Sequence, residues 1–243
     1  MTEHAQRLRD LHRPGDPLLL PNVWDAGSAT AVQEAGFPAL ATASAAVSAM
    51  LGYPDHEGAP VEEMFAAAGR VIRAADVPVT VDAEAGYGLE PAELVDRLLS
   101  IGAAGCNLED TYAGALARPE DQAAYLASVR AAAGDALVIN ARADSFVAKA
   151  ADPVADAIAR GRLYLEAGAD CVYPIGAPMD AVPALVAGIP GPVNANNSPG
   201  TSLADLAAAG VARVSYGPRP YRLALQALTE FAGRVLAKGD PHQ

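Results

Sequence analysis

The chain has 243 residues, 51% of them hydrophobic and only 5% aromatic, enough to bury a substantial core as one large domain or two small ones. Seventeen Lys and Arg against 29 Asp and Glu give a formal net charge of −12, which argues against nucleic acid and anionic membrane as partners. A small anionic substrate stays open, because it responds to the field inside a site rather than to the total charge.

The first elements set a pattern that then repeats. Residues 3–12 read as a short polar helix stopped by Pro14-Gly15-Asp16-Pro17. Its flank, Met1 to Asp16, is charged and lacks the apolar core of a signal peptide. No apolar run approaches transmembrane length, so no membrane partner and a cytoplasmic location are expected. Leu18–Asn22 is a strand leading to Val23-Trp24-Asp25, and Ser28–Ala35 a small helix closed by Gly36. Ala39–Ser44 is the second strand, followed by a loop carrying Gly52-Tyr53-Pro54-Asp55, and Val61–Ala75 is an amphipathic helix.

The third strand, Val77–Glu84, is the unusual one. It runs β-branched and apolar, then ends in Asp82 and Glu84 ahead of a Gly86-Tyr87-Gly88 turn. Residues i and i+2 of a strand face the same way, so the two acids are expected to converge, and like charges at one point call for a cation.

The alternation continues through helix 92–101, strand 105–110, helix 119–133, strand 136–141 and helix 153–167. Strand 169–174, helix 179–187, strand 191–194, helix 202–209 and strand 211–216 follow, and a long helix 221–238 closes the chain. Cys106 and Cys171 each fall in a strand, far apart, and read as buried free thiols. Eight strand–helix units, recurring about every 25–30 residues, imply a parallel sheet, and at this length a single (β/α)8 TIM-type barrel over residues 1–243. The doubly wound alternative lacks its Gly-x-Gly-x-x-Gly fingerprint after the first strand.

A barrel of this kind places its active site at the C-terminal ends of the strands. Those ends carry Trp24 and Asp25, Ser44 and Asp55, Asp82 and Glu84, Glu109 and Asp110, Arg142 and Asp144, and Asn194 and Asn196. Hard oxygen donors in this number suit Mg²⁺ or Mn²⁺ better than zinc. Asp110, facing away from Glu109 along the strand, reads as a supporting residue, and Asn194 as a turn former that also offers the substrate a polar contact. Of the histidines His4, His12, His56 and His242, all in polar segments, only His56 falls near the mouth.

Several of these stretches together resemble one family. Asp82-Ala83-Glu84-Ala85-Gly86-Tyr87-Gly88 is similar to the D-x-D/E-x-G-Y-G motif of the isocitrate lyase / phosphoenolpyruvate mutase superfamily. Gly105–Asp110 resembles its G-x-x-x-E-D strand, and Asn140-Ala141-Arg142-Ala143-Asp144 its N-A-R-T-D strand. Leu51–Asp55 resembles the L-G-x-x-D loop and Asn22–Ala26 the N-x-x-D-A segment. The resemblance implies a Mg²⁺-dependent enzyme acting on a small 2-oxo acid or its enolate. It implies Asp82 as the direct metal ligand, with Asp55, Glu84 and Glu109 holding metal-bound waters. Arg142 would bind the substrate, Trp24 would pack on it, and backbone N–H groups near Ser44, Ala45 and Ala46 would hold its carboxylate. The superfamily commonly forms homotetramers that exchange a C-terminal helix, so a homo-oligomer, tetramer or dimer, is expected.

The departures narrow the reaction. The lyase branch carries a Lys-Lys/Arg-Cys-Gly-His loop after the fourth strand, whereas Thr111–Arg118 contains no Cys, His or Lys. The mutase branch carries a longer gating loop with an Asn, also missing here. A metal-dependent C–C lyase of the oxaloacetate decarboxylase type fits what remains, since CO₂ leaves without proton transfer. A retro-aldol cleavage would need a base, for which the metal waters or Tyr87 could serve. The alternatives are a P–C bond enzyme of the phosphoenolpyruvate mutase or phosphonopyruvate hydrolase type, and a non-catalytic 2-oxo acid binding barrel.

Overall fold

Pro21 lacks a backbone N–H, and it splits the first strand into β1 (Leu18–Leu20) and β2 (Asn22–Val23). That break marks where one ring of strands closes on itself. In the computed structural model, which describes residues 3–238 and 240, α1 (Glu3–Asp10) precedes these strands and α2 (Ala26–Glu34) follows them. Next come β3 (Leu40–Thr42), α3 (Ser44–Leu51), α4 (Val61–Arg73), β4 (Val79–Asp82), α5 (Pro91–Ser100) and β5 (Gly105–Glu109). A small hairpin, β6 (Thr111–Tyr112) with β7 (Ala115–Leu116), leads to α6 (Pro119–Ala133), β8 (Val138–Ala143) and α7 (Pro153–Glu166). The chain ends with β9 (Cys171–Pro174), α8 (Val182–Gly188), β10 (Asn194–Asn196), α9 (Leu203–Ala208), β11 (Arg213–Ser215) and α10 (Arg219–Leu236).

Every neighbouring pair in the ring is parallel. Asn22 pairs with Ala41, Leu40 with Val79, Asp82 with Asn107, and Asn107 with Asn140. Asn140 then pairs with Cys171, a single bridge joins Val172 to Val193, Asn194 pairs with Arg213, and Leu18 pairs with Arg213 to close the circle. With β1 and β2 counted as one broken strand, this is the expected (β/α)8 barrel. The main apolar cluster lies between the strands β4, β5 and β8 and helices α5 and α6, built from residues such as Leu94, Leu98, Leu108, Leu126 and Ile139. Cys106 and Cys171 are both buried and free, as expected.

Several boundaries move, each for a local reason. Asp25 caps α2, accepting from the Ser28 N–H at 2.7 Å while the Ser28 hydroxyl answers the Asp25 N–H in a capping box. It is therefore a helix cap and not a group of the barrel mouth. The stretch after Ser44, read as loop, is the helix α3, ended by Gly52 in the left-handed conformation. Strand β8 reaches Ala143, so Arg142 sits inside a strand rather than beyond it. His12 is buried with 8% exposure, its Nδ1–H donating to Leu8 O at 2.8 Å, although it follows a polar helix. His242 lies outside the described residues. No helix among the described residues is long and apolar enough to cross a membrane.

Candidate active site

The C-terminal ends of the strands enclose a cavity of about 190 Å³. Asp55, Asp82, Glu84, Glu109 and Arg142 all line it, together with Ser44 and Ala45 from the start of α3. So do Asn22, His56, Asn107, Tyr173, Ser215 and Arg222, of which only His56 was placed near the mouth by sequence reasoning.

Asp82 and Glu84 meet here by a different route from the expected one. Strand β4 stops at Asp82, and Glu84 adopts a left-handed backbone with φ of 49°. A turn, not strand alternation, brings the second acid inward. Tyr87 is left-handed as well, at φ 56°, and such conformations cost of order 1–3 kcal/mol each. The neighbouring loop holds both in place: the Glu57 N–H donates to Glu84 Oε2 at 2.6 Å, and Glu57 Oε1 accepts from the Tyr87 N–H at 2.6 Å. His56 and Glu57 are themselves left-handed. Two strained loops clasp each other at the rim of the cavity.

Burial and neighbouring carboxylates favour the protonated form of two of these acids, Glu84 and Glu109. Burial, with Asp82 and Asp55 close by, lifts Glu84 to about 7 in spite of the hydrogen bond from Tyr87. Burial lifts Glu109 to about 9 against the pull of Arg142, with Asp82, Asp144 and Glu84 adding to the rise. Asp55 Oδ1 is buried without any hydrogen-bond partner. Arg142 is paired with Glu109 and held from behind by Asp144, whose Oδ1 accepts from Nε at 2.6 Å and Oδ2 from Nη2 at 3.0 Å. These contacts use three of its five N–H bonds and aim the guanidinium into the mouth.

A hard divalent cation fits this donor set. Among the described residues no three His, Cys, Asp or Glu side chains come together as a direct cage. The buried Asp55 Oδ1, without a protein partner, is a hard oxygen donor of the kind Mg²⁺ takes.

Other expected residues are employed elsewhere. The Tyr87 hydroxyl donates to Glu84 Oε1 at 2.6 Å, and burial and Glu84 push its ionisation well above the ordinary phenol value, which disfavours the phenolate that a general base would need. Trp24 does not line the cavity; its ring packs edge-to-face on Tyr221 with centroids 5.2 Å apart. Asn194 is buried beneath the mouth, donating to the Ser215 hydroxyl at 3.2 Å, and does not line the cavity either. Of the three backbone N–H groups near the start of α3, that of Ser44 donates to Asp82 Oδ2 at 2.8 Å and that of Ala46 to Ala43 O at 3.0 Å. That of Ala45, a residue lining the cavity, has no protein acceptor among the described residues. Asp110 supports the site from behind, as expected: fully buried, it accepts from Tyr164 at 2.6 Å, Arg160 at 3.0 Å and the Asp144 N–H at 2.8 Å.

Fold and mouth together define a (β/α)8 barrel with a carboxylate-and-arginine site at the C-terminal ends of its strands. The family model for phosphoenolpyruvate phosphomutase matches residues 8–236. The chain belongs to this family, within the isocitrate lyase / phosphoenolpyruvate mutase superfamily. An uncharacterized protein of Mycobacterium tuberculosis (strain ATCC 25618 / H37Rv) is 37% identical over 232 residues, covering 95% of this chain and 89% of that one. The chloroplastic carboxyvinyl-carboxyphosphonate phosphorylmutase of Arabidopsis thaliana is 40% identical over 177 residues, covering 67% of this chain and 52% of that protein. A solved structure from Burkholderia cenocepacia J2315 is 42% identical with a TM-score of 0.89, covering 96% of this chain and all of that one. Phosphonopyruvate hydrolase, solved with oxalate and Mg²⁺, is 25% identical with a TM-score of 0.88 over 98% of this chain and 89% of its own. The relatives in this family include C–C lyases as well as P–C enzymes, 2-methylisocitrate lyase of Bacillus subtilis among them.

Proposed function

We propose that the protein is a Mg²⁺-dependent lyase that cleaves a C–C bond of a small 2-oxo carboxylate, with oxaloacetate decarboxylation as its simplest form. The observation that carries this reading is the short hairpin after β5. Between Thr111 and Leu116 it carries no Cys, His or Lys, so this loop offers none of the protonating side chains that the larger lyase reaction draws from it.

The metal, Mg²⁺ or Mn²⁺, would be held by Asp82 directly and by Asp55, Glu84 and Glu109 through water. When bound, it supplies a Lewis acid for the keto and carboxylate oxygens of a 2-oxo acid. The protein's own groups orient the substrate. The free Ala45 N–H at the N-terminus of α3 offers a donor to the 1-carboxylate. The guanidinium of Arg142, fixed by Asp144, faces the substrate from β8 and stabilises the negative charge that builds on it as the bond breaks. The departing carboxylate leaves as CO₂, its bonding electrons passing toward the keto group, and solvent returns the proton. No residue of the chain has to move one.

The family model and the Arabidopsis relative favour a second reading, cleavage of a P–C bond as in a mutase or phosphonopyruvate hydrolase. Pyruvate release from oxaloacetate, measured beside phosphate and pyruvate release from phosphonopyruvate, separates the two. A substantial rate on phosphonopyruvate with none on oxaloacetate defeats the C–C reading. A third, a non-catalytic 2-oxo acid binder, gains if Asp82→Ala still binds ligand with no metal present.

We also propose that the protein works as a homo-oligomer through α10. This helix has no buried residue over its 18 positions, and it exposes Leu223, Leu225, Leu228, Phe231 and Val235. Sedimentation velocity tests the point: Leu228→Glu with Phe231→Glu should shift the species to the monomer, and an unshifted profile removes the role of this helix.

A further inference from the structure

Beneath the acids, the interior of the barrel holds an unusual cation. Arg213 is fully buried, yet its contacts are neutral: Nε donates to Ser215 Oγ at 3.4 Å, Nη2 to Asn107 Oδ1 at 3.1 Å, and Nη1 has no partner. The other deeply buried arginines, Arg142 and Arg160, are each ion-paired. Burying an arginine without a counter-ion costs several kcal/mol, and an apolar residue would fill the space at no such cost. Packing alone does not account for it.

Its one side-chain amide partner leads to the cavity. Asn107 is 6% exposed, lines the mouth, and stands beside Asp82 in register. Asn107 Oδ1 accepts from Arg213 and also from Asn140 Nδ2 at 2.8 Å. A guanidinium has only donors, so the amide atom it meets must be the oxygen, which removes the usual ambiguity over how an asparagine is turned. Asn107 Nδ2 has no protein acceptor among the described residues and is not one of the buried atoms lacking a partner. Its N–H bonds are therefore open to the cavity. Among the groups lining the cavity it is the neutral amide donor that stands beside Asp82, apart from the guanidinium groups of Arg142 and Arg222.

We propose that Asn107 is a substrate-binding residue whose amide donates to an oxygen of the bound 2-oxo acid, with Arg213 and Asn140 as the positioning residues that hold the amide in that orientation. The inference rests on reading the cavity as a 2-oxo acid site. A neutral donor in this place adds a directed hydrogen bond to an anionic oxygen without drawing charge away from the acids that hold the cation.

The test is calorimetric titration of oxalate at saturating Mg²⁺ into the wild type, Asn107→Ala, Asn107→Ser, Arg213→Lys and the Asn107→Ala/Arg213→Lys double variant. Losing a hydrogen bond to a charged oxygen should weaken oxalate about 10- to 100-fold in both Asn107 variants, the serine keeping an oxygen for Arg213. Mg²⁺ affinity measured without oxalate should change less than about threefold, because Asn107 is placed on the substrate and not on the ion. Arg213→Lys should weaken oxalate by a smaller factor, and that factor should vanish in the Asn107→Ala background, as coupling through one partner requires. Folded Asn107 variants that bind oxalate within twofold of the wild type overturn the assignment. An Arg213→Lys penalty that persists undiminished without Asn107 overturns the positioning role. Wild type that fails to bind oxalate with Mg²⁺ overturns the 2-oxo acid reading itself, and this inference with it.

Discussion

The Tyr87 hydroxyl donates to Glu84 Oε1 at 2.6 Å, three residues earlier in a loop where both residues are left-handed. The phenol thus orients a carboxylate that faces the cavity, and it does so from behind. Tyr87→Phe should lower Mg²⁺ affinity about tenfold, as loss of an outer-sphere partner does, while leaving turnover at saturating Mg²⁺ within a few-fold of wild type. Steady-state kinetics across a Mg²⁺ series decide it. A loss of turnover of about a thousandfold at saturating metal would instead restore Tyr87 as an acid or base.

The raised carboxyls make metal binding proton-linked. At pH 7 Glu84, lifted to about 7, and Glu109, lifted to about 9, still hold protons that a cation in the mouth would displace. Mg²⁺ binding should release about 1.5 protons near pH 7, half of one from Glu84 and nearly a whole one from Glu109, and its affinity should climb between pH 7 and 9. Titrations in buffers of different ionisation enthalpy measure the release directly.

Asp110 and Arg160 pair at 3.0 Å in a region where Asp110 is fully buried and Arg160 is 4% exposed. Removing the cation strands a buried carboxylate against Tyr164 and the Asp144 N–H. Arg160→Ala should destabilise the fold by about 3–5 kcal/mol, lowering Tm on the order of 10 °C. Because Asp110 also holds the Asp144 backbone, turnover should fall with it through Arg142. Differential scanning calorimetry tests the first part, and a Tm within about 2 °C of wild type would refute it.

His12 titrates in a way that should show in acid. Burial, with Arg213 near, lowers it from 6.5 to about 4, so the folded protein keeps it neutral where the unfolded chain protonates it. Its contribution is complete above pH 6.5 and is lost as the pH falls toward 4, amounting to about 3 kcal/mol over that window. Denaturant unfolding at pH 7.5 and 4.5 should show the drop, and His12→Gln should flatten it.

The barrel was legible because its cause is local. Apolar β-branched runs alternate with helices opened by Pro91, Pro119 and Pro153 and followed by turns at Gly102, Gly134 and Gly168, and such signals need no knowledge of distant contacts. Elements that lack such punctuation were not. Helix α3 hides in an Ala- and Ser-rich stretch whose N-cap, Ala43, makes no side-chain bond, and the β6–β7 hairpin has strands of two residues. His12 looked polar from its neighbours, yet α1 docks its far side onto the barrel.

For the site, residue types and their place at strand ends were enough to gather Asp55, Asp82, Glu84, Glu109 and Arg142 at one mouth, because parallel strands all end on the same side. What each one does depends on partners far away in the chain. The Tyr87 hydroxyl is spent on Glu84, Trp24 packs on Tyr221, and Asn107 is held by Arg213, 106 residues away. Composition and order decide which groups a barrel can bring together. Only the closed ring decides which hydrogen bonds they form, since a donor's direction is set by the atom that meets it.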